Sequence, residues 1–160
     1  MKHLRLFLLL LIFAYAKNEP IEVVAENIIT DQNKGTSIIS GNVTVKQGKD
    51  KLNTNELTLY FNTTTRRPTS YHAKGNVHFE ITLEDGRVIQ GGGNEVFFIV
   101  DEEKYELLGN AYVQEAGQPN RVRGNKIAVS RKNGYLNVQG SKNAPAKVIF
   151  KLDENPSKKD

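Results

Sequence analysis

Three copies of one short phrase stand at equal intervals: Gly41-Asn42-Val43-Thr44-Val45, Gly75-Asn76-Val77-His78-Phe79 and Gly109-Asn110-Ala111-Tyr112-Val113, each 34 residues after the last. A fixed period of this size is the mark of stacked supersecondary units. Inside each copy a turn-forming Gly-Asn leads into residues whose first and third side chains are apolar, the period of a strand. A second phrase follows each time: Asn55-Glu56-Leu57, Asn94-Glu95-Val96 and Asn125-Lys126-Ile127, with Ala25-Glu26-Asn27-Ile28 as a degenerate earlier member. The spacing predicts a pair or trio of antiparallel strands per unit, entered through a Gly-Asn turn.

The alternation extends over nearly the whole chain. Ile21 with Val23, Val43 with Val45, Leu57 with Leu59 and Phe61, and Val77 with Phe79 and Ile81 share one face. Ala111 with Val113, Ile127 with Val129, and Val148 with Phe150 continue it, while Glu22, Thr44, Thr58, His78 and Glu80 occupy the other face. Asp85-Gly86 and Asn133-Gly134 are hairpin signals, and Gly48 to Lys51, Thr63 to Arg67 and Glu102-Glu103 are softer turns. Phe97-Phe98-Ile99-Val100 breaks the rule by being apolar on both faces. Helical periodicity is absent after the leader, so the expected fold is all-β, a single elongated, twisted antiparallel sandwich.

The leader is Lys2 and Arg5, an apolar run from Leu6 to Phe13, then Ala14-Tyr15-Ala16. These are the parts of a signal peptide cut after Ala16, and the run falls short of the roughly 20 residues that span a bilayer. Residues 1–16 therefore read as a cleaved signal, 17–152 as one β domain, and 153–160 as a disordered tail. The absence of cysteine excludes disulfides, thiol chemistry and lipoprotein acylation. Removing Lys2 and Arg5 leaves 20 basic against 18 acidic residues, a balance of +2 that does not predict nucleic-acid binding.

No catalytic constellation emerges. After the leader only His72 and His78 remain, and their spacing offers no convergent partners for metal or acid–base work. Gly91-Gly92-Gly93 lacks the Lys-Ser or Lys-Thr of a phosphate loop and reads as a place where a larger side chain would clash. Glu84-Asp85 and Asp101-Glu102-Glu103 lack calcium-loop spacing, and the sequons at Asn42 and Asn62 are short enough to arise by chance. The expectation is a protein that is not an enzyme, with no cofactor and no metal.

What remains is the apolar face. A stack of short hairpins encloses a long channel between two sheets, and the residues alone leave packed core and ligand groove equally open. Arg66-Arg67, Lys49, Lys51, Arg121, Arg123, Arg131 and Lys132 fall in turns or at strand edges, either as a solvated rim or as partners for an amphiphile's phosphates.

Gly41 to Gly48, then Leu52-Asn53-Thr54-Asn55-Glu56-Leu57, then Leu108 to Gln114 and Arg123 to Ile127 resemble the LptA-type (OstA-like) periplasmic lipopolysaccharide-transport proteins, in order over residues 20 to 140. The resemblance implies a β-jellyroll open along one seam, receiving lipopolysaccharide acyl chains and passing the lipid from inner to outer membrane. It implies head-to-tail self-association, an inner-membrane LptC-like partner and an outer-membrane LptD-like translocon. Matching the family's lipid-lining strands are Ile21, Val23, Phe79, Phe98 and Val100. Inward parity adds Val45, Leu59, Phe61, Val113 and Val129. A membrane-anchored LptC-like member of the same pathway and a structural β-module that binds only proteins are the alternatives. The first strand, from Ile21, and the last, to Leu152, are expected as unpaired edges that add across molecules.

Overall fold

The computed structural model describes residues 19–83, 85–130 and 134–152. The leader, the tail, Glu84 and residues 131–133 lie outside the described residues, and with them the Ala16 cleavage, Arg131, Lys132 and the Asn133 hairpin position.

Among the described residues ten strands form one antiparallel sheet: β1 Ile21–Val24, β2 Asn27–Asp31, β3 Thr36–Gln47, β4 Asp50–Phe61, β5 Pro68–Thr82, β6 Val88–Ile99, β7 Lys104–Glu115, β8 Arg121–Ser130, β9 Tyr135–Gln139 and β10 Lys147–Ile149. Strands β3 to β8 pair in sequence order as a meander. At one end both β1 and β2 pair with β3; at the other both β9 and β10 pair with β8. The described residues contain no helix, and the all-β, open antiparallel architecture is the one expected.

The Gly-Asn phrases do not stand where a turn was expected. They sit in the middle of β3, β5 and β7, with both residues left-handed: φ is 83° and 47° at Gly41-Asn42, 84° and 47° at Gly75-Asn76, and 72° and 49° at Gly109-Asn110. Two such residues face one on the next strand, since pairing jumps from Ser40↔Glu56 to Val43↔Thr54, from Lys74↔Glu95 to Val77↔Gly93, and from Leu108↔Lys126 to Ala111↔Gly124. The residues left opposite are Asn55, Asn94 and Asn125, the first letters of the second phrase. The two phrases are therefore two sides of one bulge, repeated across the sheet. A bulge bends its strand, and bulges in line crease the sheet. Glycine bears the first left-handed position without strain, and asparagine tolerates the second.

The crease turns one sheet into two facing layers. The first holds β1, residues 43–47, 50–54, 77–82, 88–93, 111–115 and 121–124, and β10; the second holds β2, residues 36–40, 56–61, 68–74, 95–99, 104–108 and 126–130, and β9. The link at Glu26, whose N–H donates to the carbonyls of Ser40 and Gly41, lies on the crease. A Cβ at Gly75 would stand 2.6 Å from Asn55 Nδ2, so the bulge packs directly on the strand before it. Gly75→Ala adds this collision to an unfavourable φ; a loss of about 2 kcal/mol is expected by denaturant titration, with the slope unchanged.

The glycine triplet is a clash site, as its sequence suggested, with a different cause at each position. At Gly91 a Cβ would meet the Phe79 ring, at Gly92 the Val77 carbonyl, and at Gly93 the carbonyls of Gly109 and Leu108 at the crease. Phe98 faces inward and stacks on Tyr105, whereas Phe97 faces outward and is covered by His72 at a ring separation of 3.9 Å. This stack explains how the segment is apolar on both faces.

Candidate functional site

Between the layers the interior is not uniform. Around β5 to β8 it is sealed: Ile81, Leu107, Ala111, Ile127 and Val129 are buried in one cluster with Phe79 and Phe98. Around β1 to β5 a smaller cluster of Ile39, Val43, Val45, Leu57, Ala73 and Val77 leaves a gap. That gap is a cavity of about 280 Å³. From the first layer it is walled by Ile21, Val23, Val45, Leu52 and Phe79. From the second come Ile39, Leu57, Leu59, Tyr71, Ala73, Val96, Phe98 and Tyr105. The lining carries only two hydroxyls, so its chemistry is that of a hydrocarbon site.

Six of the ten site residues proposed from sequence stand in this wall: Ile21, Val23, Val45, Leu59, Phe79 and Phe98. Four do not. Val113 and Val129 are inward but packed in the sealed half, and Val100 is a partly buried neighbour of that cluster. Phe61 lies beyond Leu59, half-buried where β4 enters its turn. Ile39, Leu52, Leu57, Tyr71, Ala73, Val96 and Tyr105 also line the wall and are not among the site residues proposed from sequence. Pairing supplies the signal for them: Val23↔Val45, Val45↔Leu52 and Leu52↔Phe79 form one inward row, and Leu57↔Ala73 with Ala73↔Val96 form another.

Phe79 forms the floor between the open and sealed halves. It is 1% exposed, and its ring lies over the bare backbone of Gly91. Behind it Tyr71, Phe98 and Tyr105 stack in series, with ring separations of 6.1 and 4.3 Å. The opposite end of the cavity is unguarded: Ile21 is 51% and Val23 36% exposed on the edge strand. The crease closes one long side. Along the other, no backbone hydrogen bond among the described residues joins the two rows of hairpin turns.

Polar chemistry lies on the outer faces. His78 Nδ1 and Tyr112 Oη are 2.6 Å apart across β6, where Gly92 has no side chain to separate them. Burial raises the Tyr112 phenol, and Arg123 opposes the shift. On the other layer, the Lys104 hydrogen bond, against burial and with help from Lys126, holds Glu106 below the usual carboxylate range. None of these groups faces the cavity. Among the described residues no three His, Asp or Glu side chains gather as a metal site.

The described residues thus form a creased antiparallel sheet with an apolar groove open at one strand edge. The family model described as LptA/(LptD N-terminal domain) LPS transport protein matches residues 22–135, and the chain belongs to that family. It is a family of transport proteins, not enzymes. The lipopolysaccharide export system protein LptA of Haemophilus influenzae is 24% identical over 132 residues, 78% of this chain and 72% of that protein. The crystal structure of LptH, the LptA-homologous periplasmic component of the lipopolysaccharide transport device of Pseudomonas aeruginosa, superposes with a TM-score of 0.67 at 22% identity. It covers 84% of this chain and 96% of that one, and shows the shared fold.

Proposed function

We propose that this chain is a periplasmic carrier that shelters lipopolysaccharide acyl chains in the groove and hands them on through joined copies. The observation that carries this reading is the continuity of the apolar lining with an unpaired strand edge. Acyl chains gain ~0.8 kcal/mol for each CH₂ removed from water, so a sheltered path removes the main cost of crossing an aqueous compartment. The chemistry lies in binding alone.

The strand directions support joining. Five antiparallel steps separate β3 from β8, which therefore run oppositely; β1 is antiparallel to β3 and β10 to β8, so β1 and β10 also run oppositely. The same holds for β2 and β9. A second copy stacked in the same orientation would set its β1 against β10 and its β2 against β9, both antiparallel, extending both layers. Both ends present the apolar surface such a joint would cover. Ile21, Val24, Ile28 and Ile29 are exposed at the first, and Leu136, Val148, Phe150 and Leu152 at the last. Charge favours the same order, with Glu19, Glu22 and Glu26 near the first edge and Lys142, Lys147 and Lys151 near the last. The family description covers both LptA and the amino-terminal domain of LptD, which suits an LptD-like translocon and an LptC-like anchor presenting matching edges.

A photocrosslinker at Leu59 in cells is expected to capture lipopolysaccharide, while one at Ile127, fully buried in the sealed half, is not. Failure of the Leu59 probe with the protein folded and exported would overturn the carrier reading. The joint has its own test. Val148→Asp with Phe150→Asp alters side chains that are 53% and 65% exposed, so thermal stability should hold. Self-association measured by sedimentation is expected to weaken at least about tenfold; unchanged sedimentation would count against joining through this edge.

A further inference from the structure

The open half of the groove carries a second feature at its rim. Two turns of the second layer meet there: residues 32–35 between β2 and β3, and 62–67 between β4 and β5. They are built as one cap. Phe61 N–H donates to the Gly35 carbonyl at 2.9 Å, and a Cβ on Gly35 would strike the Phe61 carbonyl, so the turns are in backbone contact. Asn62 organises the longer turn: its Oδ1 accepts the N–H groups of Thr64 and Thr65, its carbonyl accepts that of Arg66, and its own N–H donates to the Arg67 carbonyl.

This cap presents Lys34, Arg66 and Arg67, all exposed, against one carboxylate, Asp31. Asp31 is engaged locally, its Oδ1 accepting the N–H groups of Asn33 and Lys34. Arg66 has a left-handed backbone, φ 62°, and its Nη1 donates to Gln32 Oε1 across the cap at 2.9 Å. The guanidinium is thus held by a neutral acceptor that leaves its charge uncompensated. Elsewhere on the described surface Arg87 pairs with Asp85, and Lys104 and Lys126 pair with Glu106. The neighbouring turn along the same row holds Asp101, Glu102 and Glu103 and stands beside the sealed half. Along this row of turns, Lys34, Arg66 and Arg67 stand by the open groove and Asp101, Glu102 and Glu103 by the sealed half.

We propose that the cap of Lys34, Arg66 and Arg67 is the binding site for a phosphate on the headgroup of the amphiphile whose chains occupy the groove. The inference rests on the lipid reading above. Along β4 the inward residues run Leu57, Leu59, Phe61, the first two in the cavity wall, and the cap begins at the next residue. An amphiphile with its chains against Leu57 and Leu59 places its polar end at this rim. Guanidinium groups pair with phosphate oxygens through two parallel hydrogen bonds, and an arginine already fixed at one nitrogen loses less freedom in doing so. The cap sets which end of the lipid emerges, and on which lip.

The test measures binding of the purified chain at low salt to lipid A with its phosphates, to the same lipid after enzymatic dephosphorylation, and to inorganic phosphate. The unmodified protein should bind the phosphorylated lipid about tenfold more tightly, an advantage that shrinks as salt rises. The Arg66→Gln/Arg67→Gln variant should bind both lipids at the weaker affinity, with Lys34→Gln as the milder substitution if the double variant fails to fold, and Lys142→Gln as the distant control. Equal binding of both lipids by the unmodified protein, or discrimination that survives in the variants, overturns the cap assignment and leaves the groove standing. If neither lipid binds, the carrier reading itself falls. Competition by micromolar inorganic phosphate would mark a free-phosphate site and overturn the headgroup assignment.

Discussion

Gly92→Ala is expected to lower the unfolding free energy by about 3 kcal/mol or more, seen as a fall in both thermal and denaturant midpoints. The added Cβ would collide with the Val77 carbonyl oxygen and lie 3.2 Å from the His78 Cα, atoms of the neighbouring backbone that no rotamer change can move. Relief would require β5 and β6 to part where β6 pairs with both His78 and Tyr112. Forcing bulk into a tightly packed position costs about 1–3 kcal/mol, and the upper end applies where, as on this outer face, backbone rather than a flexible side chain is in the way. Against a total stability of about 5–15 kcal/mol the loss is large. Retention of the parent midpoint would show that the glycine triplet has slack that the structure does not allow.

Ala73→Phe is expected to leave the protein folded and to weaken acyl-chain loading on the order of a hundredfold. Ala73 is buried between Leu57 and Val96 on the inner row and faces the cavity, so a phenyl ring there enters empty space. Filling an apolar cavity leaves stability unchanged or raises it. The ring takes the place of about four methylenes of ligand; at ~0.8 kcal/mol each, affinity falls by about 3 kcal/mol, on the order of a hundredfold. Titration with a fluorescent fatty-acyl probe, with the melting midpoint recorded on the same sample, checks both halves. A stable variant that loads as tightly as the parent would place the ligand elsewhere.

Much of this was legible in the residues. Alternation at Val43 and Val45, Val77 and Phe79, and Ala111 and Val113 set which side chains turn inward, and all six are buried. The triplet at Gly91 was readable as a clash without knowing with what. The Gly-Asn pair misled, because a doubly left-handed pair serves equally in a hairpin turn and in a bulge within a strand; only the register separates the two. Val113 and Val129 turn inward as their parity implies, and lie in the sealed half rather than in the cavity wall. Leu52 and Ala73 were overlooked because a single leucine and a small residue carry little signal until their cross-strand neighbours are known.

Sequence by itself determined the class of structure, the 34-residue repeat and the inward face, since these follow from backbone sterics and side-chain alternation within a few residues. The tertiary structure decided that the repeats align into one crease, that the interior is filled from β5 to β8 and open from β1 to β5, and that the cations of two distant turns share one rim. Alternation fixes a side chain's direction, whereas whether a gap remains depends on what reaches across from the facing layer, a sum over residues far apart in the chain.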